Sequence, residues 1–526
     1  MKVLICGKLA DEGVDLLRKQ PQIEVDTRGE LSVEELCQII GDVDGLIVRS
    51  DTLVTAEAIE RGGRLRVVGR AGTGVDNIDV EAATRRGIVV MNAAASNTVT
   101  TAEHTLAMLL SLARYTPQAN ASLKNGRWER KRFLGIEISN KTLGIIGMGK
   151  IGSAVASRAI GLKMNVIAYD PFLTREAAAR IGVELVSLDE LYSRADFISI
   201  HTPLTPETRN LVGPSAFEKM RQGVRIINCA RGGLIDEEAL YNAIVSGRVA
   251  GAALDVFAQE PPPPNHPLLK LDQVICTPHL GASTQEAQIG VAVTIAEQMI
   301  DFLINGTVRG AVNVPSINAD LLAEIQPYLT LGEKIASFHS QAFGEALREV
   351  NIEYSGEVTE FDVRPITQAI LVGLLSPVIE GINFVNASII AEERGIRVSE
   401  LKSRKARDFA DMITVRTVHD SKQSEVAGAL FGRSQPRIVR INGFYLEAIP
   451  KGHMILLWNE DKPGVLGGIT TYLGNNNINI GRLYLGRKEI GGTAIALIQV
   501  DTPLTPEIIA GLERLPKVIS ARQVKL

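Results

Sequence analysis

Leu143-Gly144-Ile145-Ile146-Gly147-Met148-Gly149-Lys150-Ile151-Gly152 joins an apolar run to a glycine turn, and a helical pattern continues from it through Leu162. Strand, turn and helix in that order are what a dinucleotide site needs. Gly147 allows the tight turn, Gly149 lets backbone approach a pyrophosphate, and Gly152 lets helix pack on strand, with the helix N-terminus facing the negative charge. The next apolar run, Asn165 to Tyr169, ends at Asp170, about twenty residues on, where a carboxylate can accept hydrogen bonds from ribose hydroxyls. That carboxylate would repel a 2′-phosphate and no arginine directly follows it, so NAD is favoured over NADP. The competing reading is a plain strand-to-helix turn with Asp170 as a surface cap.

Working outward, the runs NVIAYD, FISIHTP, VRIINCA, VAGAALDVF and VICTPH continue the βα rhythm. An earlier series (VLIC, LIVRS, LRVVGRAG, GIVVMN) alternates with helical stretches at Thr55 to Arg61 and Val80 to Arg86. A long helical pattern, about Thr98 to Tyr115, separates the two. A second, Thr284 to Ile304, ends at Asn305-Gly306 with Pro315 beyond, which marks a boundary near 305–315. The fold class is therefore α/β, and 526 residues imply about three or four domains.

Net charge is −4 with both signs mixed along the chain, so no broad cationic field gathers nucleic acid or a membrane surface. No apolar stretch reads as long enough to span a bilayer. Cys6, Cys37, Cys229 and Cys276 form no CxxC pair or metal-ligand spacing, which points to a reducing compartment and no metal site. The cytosol is expected, or an organelle stroma if a transit peptide has been removed.

Arg231 in NCARGGLID, Glu260 in LDVFAQEPPPP and His279 in VICTPHLGAST each follow an apolar run, at the strand ends where open α/β sheets bind ligands. An imidazole can exchange a hydroxyl proton near neutral pH, a carboxylate can orient it, and a guanidinium can grip a carboxylate bidentately. Taken singly, the three also fit a capped loop histidine, a solvated charge and a surface ion-pair partner. Spacing alone favours those plainer readings.

CARGGLIDEEAL, ALDVFAQEP and TPHLGASTQEA standing with GIIGMGKIG in one chain resemble the D-2-hydroxyacid dehydrogenases. GRAGTGVDNID at 69–79, NGRWERKRFLGIE at 125–137 and a C-terminal extension resemble the long form of that family across essentially the whole chain. The resemblance implies two Rossmann-like doubly wound domains, one inserted in the other: a substrate domain over 1–97 and 282–310, and an NAD domain over 98–281. An α+β intervening domain over 316–450 and a ferredoxin-like ACT domain over 453–526 would follow. The strand and helix order from His453 (HMILLWNE, PGVLGGITTYL, INIGRLYLGR, TAIALIQVD, PEIIAGLERL, VISARQVKL) is similar to ACT domains.

The resemblance also implies roles. Arg231 would hold the substrate carboxylate and carbonyl, with Glu260 and His279 as the acid–base relay. Lys150 and Ile151 would lie at the pyrophosphate, Thr202 and Pro203 beside the adenosine, Cys229 and Ala230 near the nicotinamide, and Asp255 at its carboxamide. A buried structural role suits the Cys229 thiol. Arg49, Arg70 and the backbone of Gly72-Thr73-Gly74 would receive a substrate phosphate, although single arginines also fit surface ion pairs. Trp128 to Arg132 would lie at a subunit interface or form a solvated loop. Lys402, Arg404, Lys405 and Arg407 read as a solvated helical face, or as an anion-sensitive regulatory site. Asn459, Asp461 and Asn479 would hold an amino-acid effector, L-serine, between paired modules.

The expected reaction is NAD-dependent oxidation of a phosphorylated 2-hydroxyacid, 3-phospho-D-glycerate, on the route to L-serine, by a homo-oligomer (dimer or tetramer). Two alternatives stand beside it. One keeps the chemistry with glycerate, lactate or 2-hydroxyglutarate as substrate. The other is an NAD-sensing corepressor, because the C-terminal-binding-protein corepressors share this fold.

Overall fold

Lys2–Cys6, Glu24–Arg28, Gly45–Val48, Val67–Arg70 and Val89–Asn92 form a parallel sheet in the computed structural model, which describes all residues except 95, 315–318, 345–346, 406–408 and 420–421. Lys2–Cys6 lies between Glu24–Arg28 and Gly45–Val48, so the winding reverses there. Apart from the exposed edge strand Glu24–Arg28, the sheet is buried on both faces, which is why its other strands read as continuous apolar runs.

The second sheet is also parallel and has seven strands. Thr142–Ile146 lies between Asn165–Tyr169 and Phe197–Ile200, a second switch point, and Val224–Asn228, Val249–Leu254 and Val274–Cys276 extend the sheet beyond it. Helix Thr98–Arg114 packs Ala102, Leu109 and Leu112 into this second core. It stops at Tyr115, which takes φ 53°.

Helix Gln285–Asn305 returns the chain to the first sheet. The Thr284 hydroxyl caps it by accepting from Ala287 N, and Gly306 at φ 69° ends it. Val291, Ile295 and Met299 enter the first core beside Ile5, Ile47 and Val67; burying each such side chain contributes about 1.5–3 kcal/mol. A Cβ on Gly13 would collide with the Ala292 backbone, so helix Asp11–Arg18 meets this helix at that glycine. Beyond it, Gly310 O accepts from Asn92 N and Val312 N donates to Val90 O along the sheet edge. By length and composition Gln285–Asn305 is able to cross a bilayer, contrary to the expectation that no stretch is. Its buried residues make it a core helix here.

The third sheet is mixed, with Arg397–Ser403 parallel to Glu349–Gly356 and the other pairings antiparallel. The expected helical face from Leu401 is corrected: Leu401 and Lys402 belong to edge strand Arg397–Ser403, whose residues are nearly all exposed. Arg404 and Lys405 follow it in the open, and Arg407 lies outside the described residues, as does Pro315.

His453–Glu460, Ile480–Arg487, Thr493–Val500 and Val518–Lys525 form a four-stranded antiparallel sheet with helices Val465–Asn475 and Pro506–Glu513. Leu331 and Ile335 of helix Ala319–Phe343 share one core with Leu456, Leu497 and Val524 of this sheet. The last two sheets are thus welded through one helix.

Candidate active site

In both parallel sheets the strands point the same way, so the residues after their C-terminal ends converge. Gly147 sits at φ 92°, and a Cβ on it would lie 2.7 Å from the His201 carbonyl oxygen. A Cβ on Gly152 would collide with the Gly147 carbonyl. Gly149 has open space around it, as a pyrophosphate cradle requires, and helix Lys150–Gly161 begins there. Asp170 accepts from Met148 N at 2.7 Å and from Phe172 N at 2.8 Å, so it clasps the glycine turn. Thr202, Pro203, Ile151, Cys229 and Ala230 line a cleft of about 430 Å³. Within it the buried Thr202 hydroxyl and His201 Nδ1 have no protein partner. Open backbone, a helix N-terminus and orphaned polar atoms fit a dinucleotide. Burial pushes the Cys229 thiol up to about 12, which leaves it inert.

His279 lines the same cleft. Its Nδ1 is 2.7 Å from Glu260 Oε2, and Glu260 Oε1 accepts from Phe257 N at 3.1 Å. Burial raises the Glu260 carboxyl, but the His279 hydrogen bond and the Phe257 N–H outweigh it and hold the group below the usual range. An ionised Glu260 fixes the proton on Nδ1 and leaves Nε2 as the free lone pair.

His279 itself takes φ 53°, an uncommon conformation for this residue. Asp255 holds it there. Its carboxylate accepts from Thr277 Oγ1, Leu280 N and Gly281 N at 2.6, 2.7 and 2.8 Å, while His279 N donates to its carbonyl. His104 Nε2 adds a contact at 3.2 Å. Burial raises Asp255, and the His104, Thr277 and Leu280 hydrogen bonds overcome that to keep it ionised. The structure thus places Asp255 as the clamp of the histidine loop.

Arg231 faces His279 from the end of strand Val224–Asn228. Its Nε donates to Asp76 at 3.0 Å and its Nη1 to the Ala230 carbonyl at 2.7 Å, which leaves Nη2 toward Gly74. A Cβ on Gly74 would collide with that guanidinium, and one on Gly72 with the Arg70 guanidinium. These glycines make room for two cations.

Arg49, Arg70 and Arg231 line a cleft of about 870 Å³ that includes Gly72-Thr73-Gly74, Glu260 and His279. Burial, then the fields of Arg231 and Arg49, pull Arg70 down to about 10. Its Nε is buried without a partner. Three guanidiniums stand against the carboxylates of Asp51, Asp76 and Glu260, so the cleft is balanced in charge as a whole, and Arg70, whose Nε has no partner, stays charged at neutral pH.

The three effector candidates do not meet within one chain. Asn459 and Asp461 lie at the Glu460 end of strand His453–Glu460, whereas Ile480, next to Asn479, is level with His453 across Val500. Strand rise puts the two ends about 20 Å apart. Asp461 accepts from Gly491 N and from Arg487, which hold it below its ordinary range, and Asn479 donates to Asp501. The Asn459 side-chain oxygen is buried and unpartnered. Trp128 is 82% exposed, and Arg132 nearby pairs with Glu129 and Asp272.

Sequence reasoning missed Asp76, His104, His201 and Asn97, whose side-chain oxygen accepts from Thr73 Oγ1 at 2.8 Å beside both clefts. A lone histidine within a helical pattern carries no signal that it will meet a loop 173 residues away.

Residues 106–281 match the family described as D-isomer specific 2-hydroxyacid dehydrogenase, NAD binding domain. Residues 324–442 match the D-3-phosphoglycerate dehydrogenase intervening domain, and 453–517 the ACT domain. The chain is 45% identical over all of both sequences to D-3-phosphoglycerate dehydrogenase of Archaeoglobus fulgidus. It is 40% identical to the chloroplastic D-3-phosphoglycerate dehydrogenase 2 of Arabidopsis thaliana, over 95% of this chain and 83% of that one. The crystal structure of D-lactate dehydrogenase from Aquifex aeolicus, complexed with NAD and lactic acid, superposes with a TM-score of 0.54 at 28% identity. That match covers 60% of this chain and 100% of the other. Full-length identity of this order, joined to a glycine turn and NAD domain in the expected place, settles the relationship: the chain belongs to the D-3-phosphoglycerate dehydrogenase family of NAD-dependent D-2-hydroxyacid dehydrogenases.

Proposed function

We propose that the chain oxidises 3-phospho-D-glycerate to 3-phosphohydroxypyruvate with NAD, the first step of the phosphorylated route to L-serine. One observation carries this reading: a single cleft is lined by the His279–Glu260 pair, Arg231, Arg49 and Arg70. The glycine turn and Asp170 would hold NAD, which when bound would supply the acceptor for a hydride, one proton with two electrons, from C2. Arg231 grips the substrate carboxylate and sets C2 against the cofactor cleft. His279 Nε2 takes the C2 hydroxyl proton, and Glu260 stabilises the imidazolium that results. Asp255 keeps the His279 loop in register. Arg49 and Arg70 receive the phosphate, which separates this substrate from glycerate or lactate.

Initial rates of NADH production across phosphorylated and unphosphorylated 2-hydroxyacids test the proposal. The phosphorylated acid should lead by orders of magnitude in kcat/KM, and equal rates with glycerate would remove the substrate assignment. L-serine is the proposed effector of the C-terminal module, in a homo-oligomer that pairs two such modules. The cytosol or an organelle stroma is the proposed location, in keeping with four cysteines that form no disulfide among the described residues.

A further inference from the structure

We propose that Glu237 and His266 form a clasp that sets Glu260 against His279, a positioning role that rests on the relay reading of those two residues. Glu260 sits on a stretch, residues 255–266, that belongs to no helix or strand. A side chain on such a loop is placed precisely only where neighbouring hydrogen bonds and packing fix the loop.

Glu237 supplies those bonds on both sides of Glu260. It opens helix Glu237–Val245, whose cap is already made by Asp236 accepting from Ala239 N at 2.9 Å. Its carboxylate is turned to the loop instead. Oε1 accepts from Ala258 N at 2.6 Å, two residues before Glu260, and Oε2 lies 3.1 Å from His266 Nε2, six residues after it. One carboxylate thus staples the loop before and after the relay residue. His266 also packs edge-on against Phe257, with ring centroids 5.6 Å apart, and a Cβ on Gly232 would collide with the Phe257 carbonyl. Gly232 adjoins Arg231, so the loop is seated on the turn that carries the proposed carboxylate grip. Phe257 N then donates to Glu260 Oε1 at 3.1 Å, and Glu260 Oε2 meets His279 Nδ1 at 2.7 Å. The contacts run unbroken from a helix start to the His279 imidazole.

The clasp acts by geometry. Glu237 and His266 line neither the cofactor cleft nor the substrate cleft. A loop freed to shift by about 1 Å would stretch the Glu260–His279 contact past hydrogen-bond reach, and a displacement of that size costs about 100-fold in rate. The charge of Glu237 is therefore dispensable where that of Glu260 is not.

Kinetics on whichever 2-hydroxyacid the wild type oxidises fastest test the clasp, so a wrong substrate assignment does not obscure it. Glu237→Ala should lower kcat about 10- to 100-fold and leave substrate KM and NADH affinity within about threefold. Glu237→Gln should recover nearly all of the rate, because its amide oxygen accepts from Ala258 N and its NH2 can donate to a neutral imidazole. His266→Phe keeps the packing on Phe257 and loses the polar tie, so kcat should fall about tenfold. Added to Glu260→Gln, Glu237→Ala should cost less than about twofold more, since the charge it positions is already gone. The proposal is overturned by a wild-type kcat in Glu237→Ala or His266→Phe, by a Glu237→Gln as slow as Glu237→Ala, by losses that multiply in the double variant, or by NADH affinity that falls in step with kcat. A wild-type kcat in Glu260→Gln would remove the relay reading itself, and the clasp with it.

Discussion

Met148 N donates a 2.7 Å hydrogen bond to Asp170 Oδ2, so the carboxylate proposed to read the ribose also fastens the turn proposed to cradle the pyrophosphate. Two parts of one ligand site are tied by a single side chain. A charge-assisted hydrogen bond of this kind contributes about 1.5–3 kcal/mol.

Asp170→Ala should therefore raise the KM for NAD about tenfold or more and also lower the melting temperature. NADP should improve relative to NAD, because the repulsion of a 2′-phosphate is gone. Steady-state kinetics with both cofactors and a thermal melt check this; equal loss on both cofactors would leave Asp170 only its structural bond.

Glu260→Gln should cut kcat about 100-fold with little change in substrate KM, since the amide can still meet Nδ1 but no longer stabilises imidazolium. The pair also makes a pH-dependent contribution to stability. Glu260 sits below its ordinary value in the folded chain, so the contribution is fully present above the unfolded carboxylate value of about 4.3 and is lost as pH falls through the lower folded value. The difference in denaturation midpoint between wild type and Glu260→Gln should thus stay level from neutral pH down to about pH 5 and then shrink. A difference that grows on acidification would reverse the sign assigned to this group.

What the sequence made legible was local. Gly147 to Gly152 and Asp170 lie within two adjoining βα units, where chain order dictates spatial order, and the strand-end positions of Arg231, Glu260 and His279 follow from the parallel sheet. Pairings across the fold left no such trace: Arg231 meets Asp76 across 155 residues, and Arg85 reaches Glu393 of the intervening domain. Strand Arg397–Ser403 was misread because an exposed edge strand need not alternate apolar with polar residues, and a run of basic side chains suits a solvated helix equally well.

Arg49→Ala and Arg70→Ala should each weaken the phosphorylated substrate about 10- to 100-fold in kcat/KM, the worth of one charge-assisted contact, and change glycerate less than about threefold. Arg70→Lys should recover little, because an ammonium does not present the planar fork that Gly72 leaves room for. Parallel losses on both substrates would assign the two arginines to the fold of the cleft.

The last prediction concerns serine, and it follows from the distance between Asp461 and Asn479. They occupy opposite ends of one sheet, so no single module can close both on one amino acid. Two modules related by a twofold axis can, because the Asp461 end of one then faces the Asn479 end of the other, and the pair forms two equal sites. Asp461 already holds Arg487 and Gly491 N, so the serine ammonium must share or displace that guanidinium. Asp461→Ala and Asn479→Ala should each abolish high-affinity serine binding, since in either homopair both sites lack one partner. Mixed and allowed to exchange subunits, the two defective proteins should regain binding: a hybrid pair has one site with both defects and one intact. Random mixing makes half the pairs hybrid, so about a quarter of the wild-type sites should return, measured by calorimetric titration before and after mixing. If mixing restores nothing although mass spectrometry shows hybrids, the site is not shared between modules. If one variant alone retains full binding, that residue has no part in it. Inhibition needs more than binding, because serine must favour one arrangement of domains over another across the core that joins Leu331 to Leu456. Rates measured on the recovered hybrids should therefore fall with serine in proportion to the sites restored.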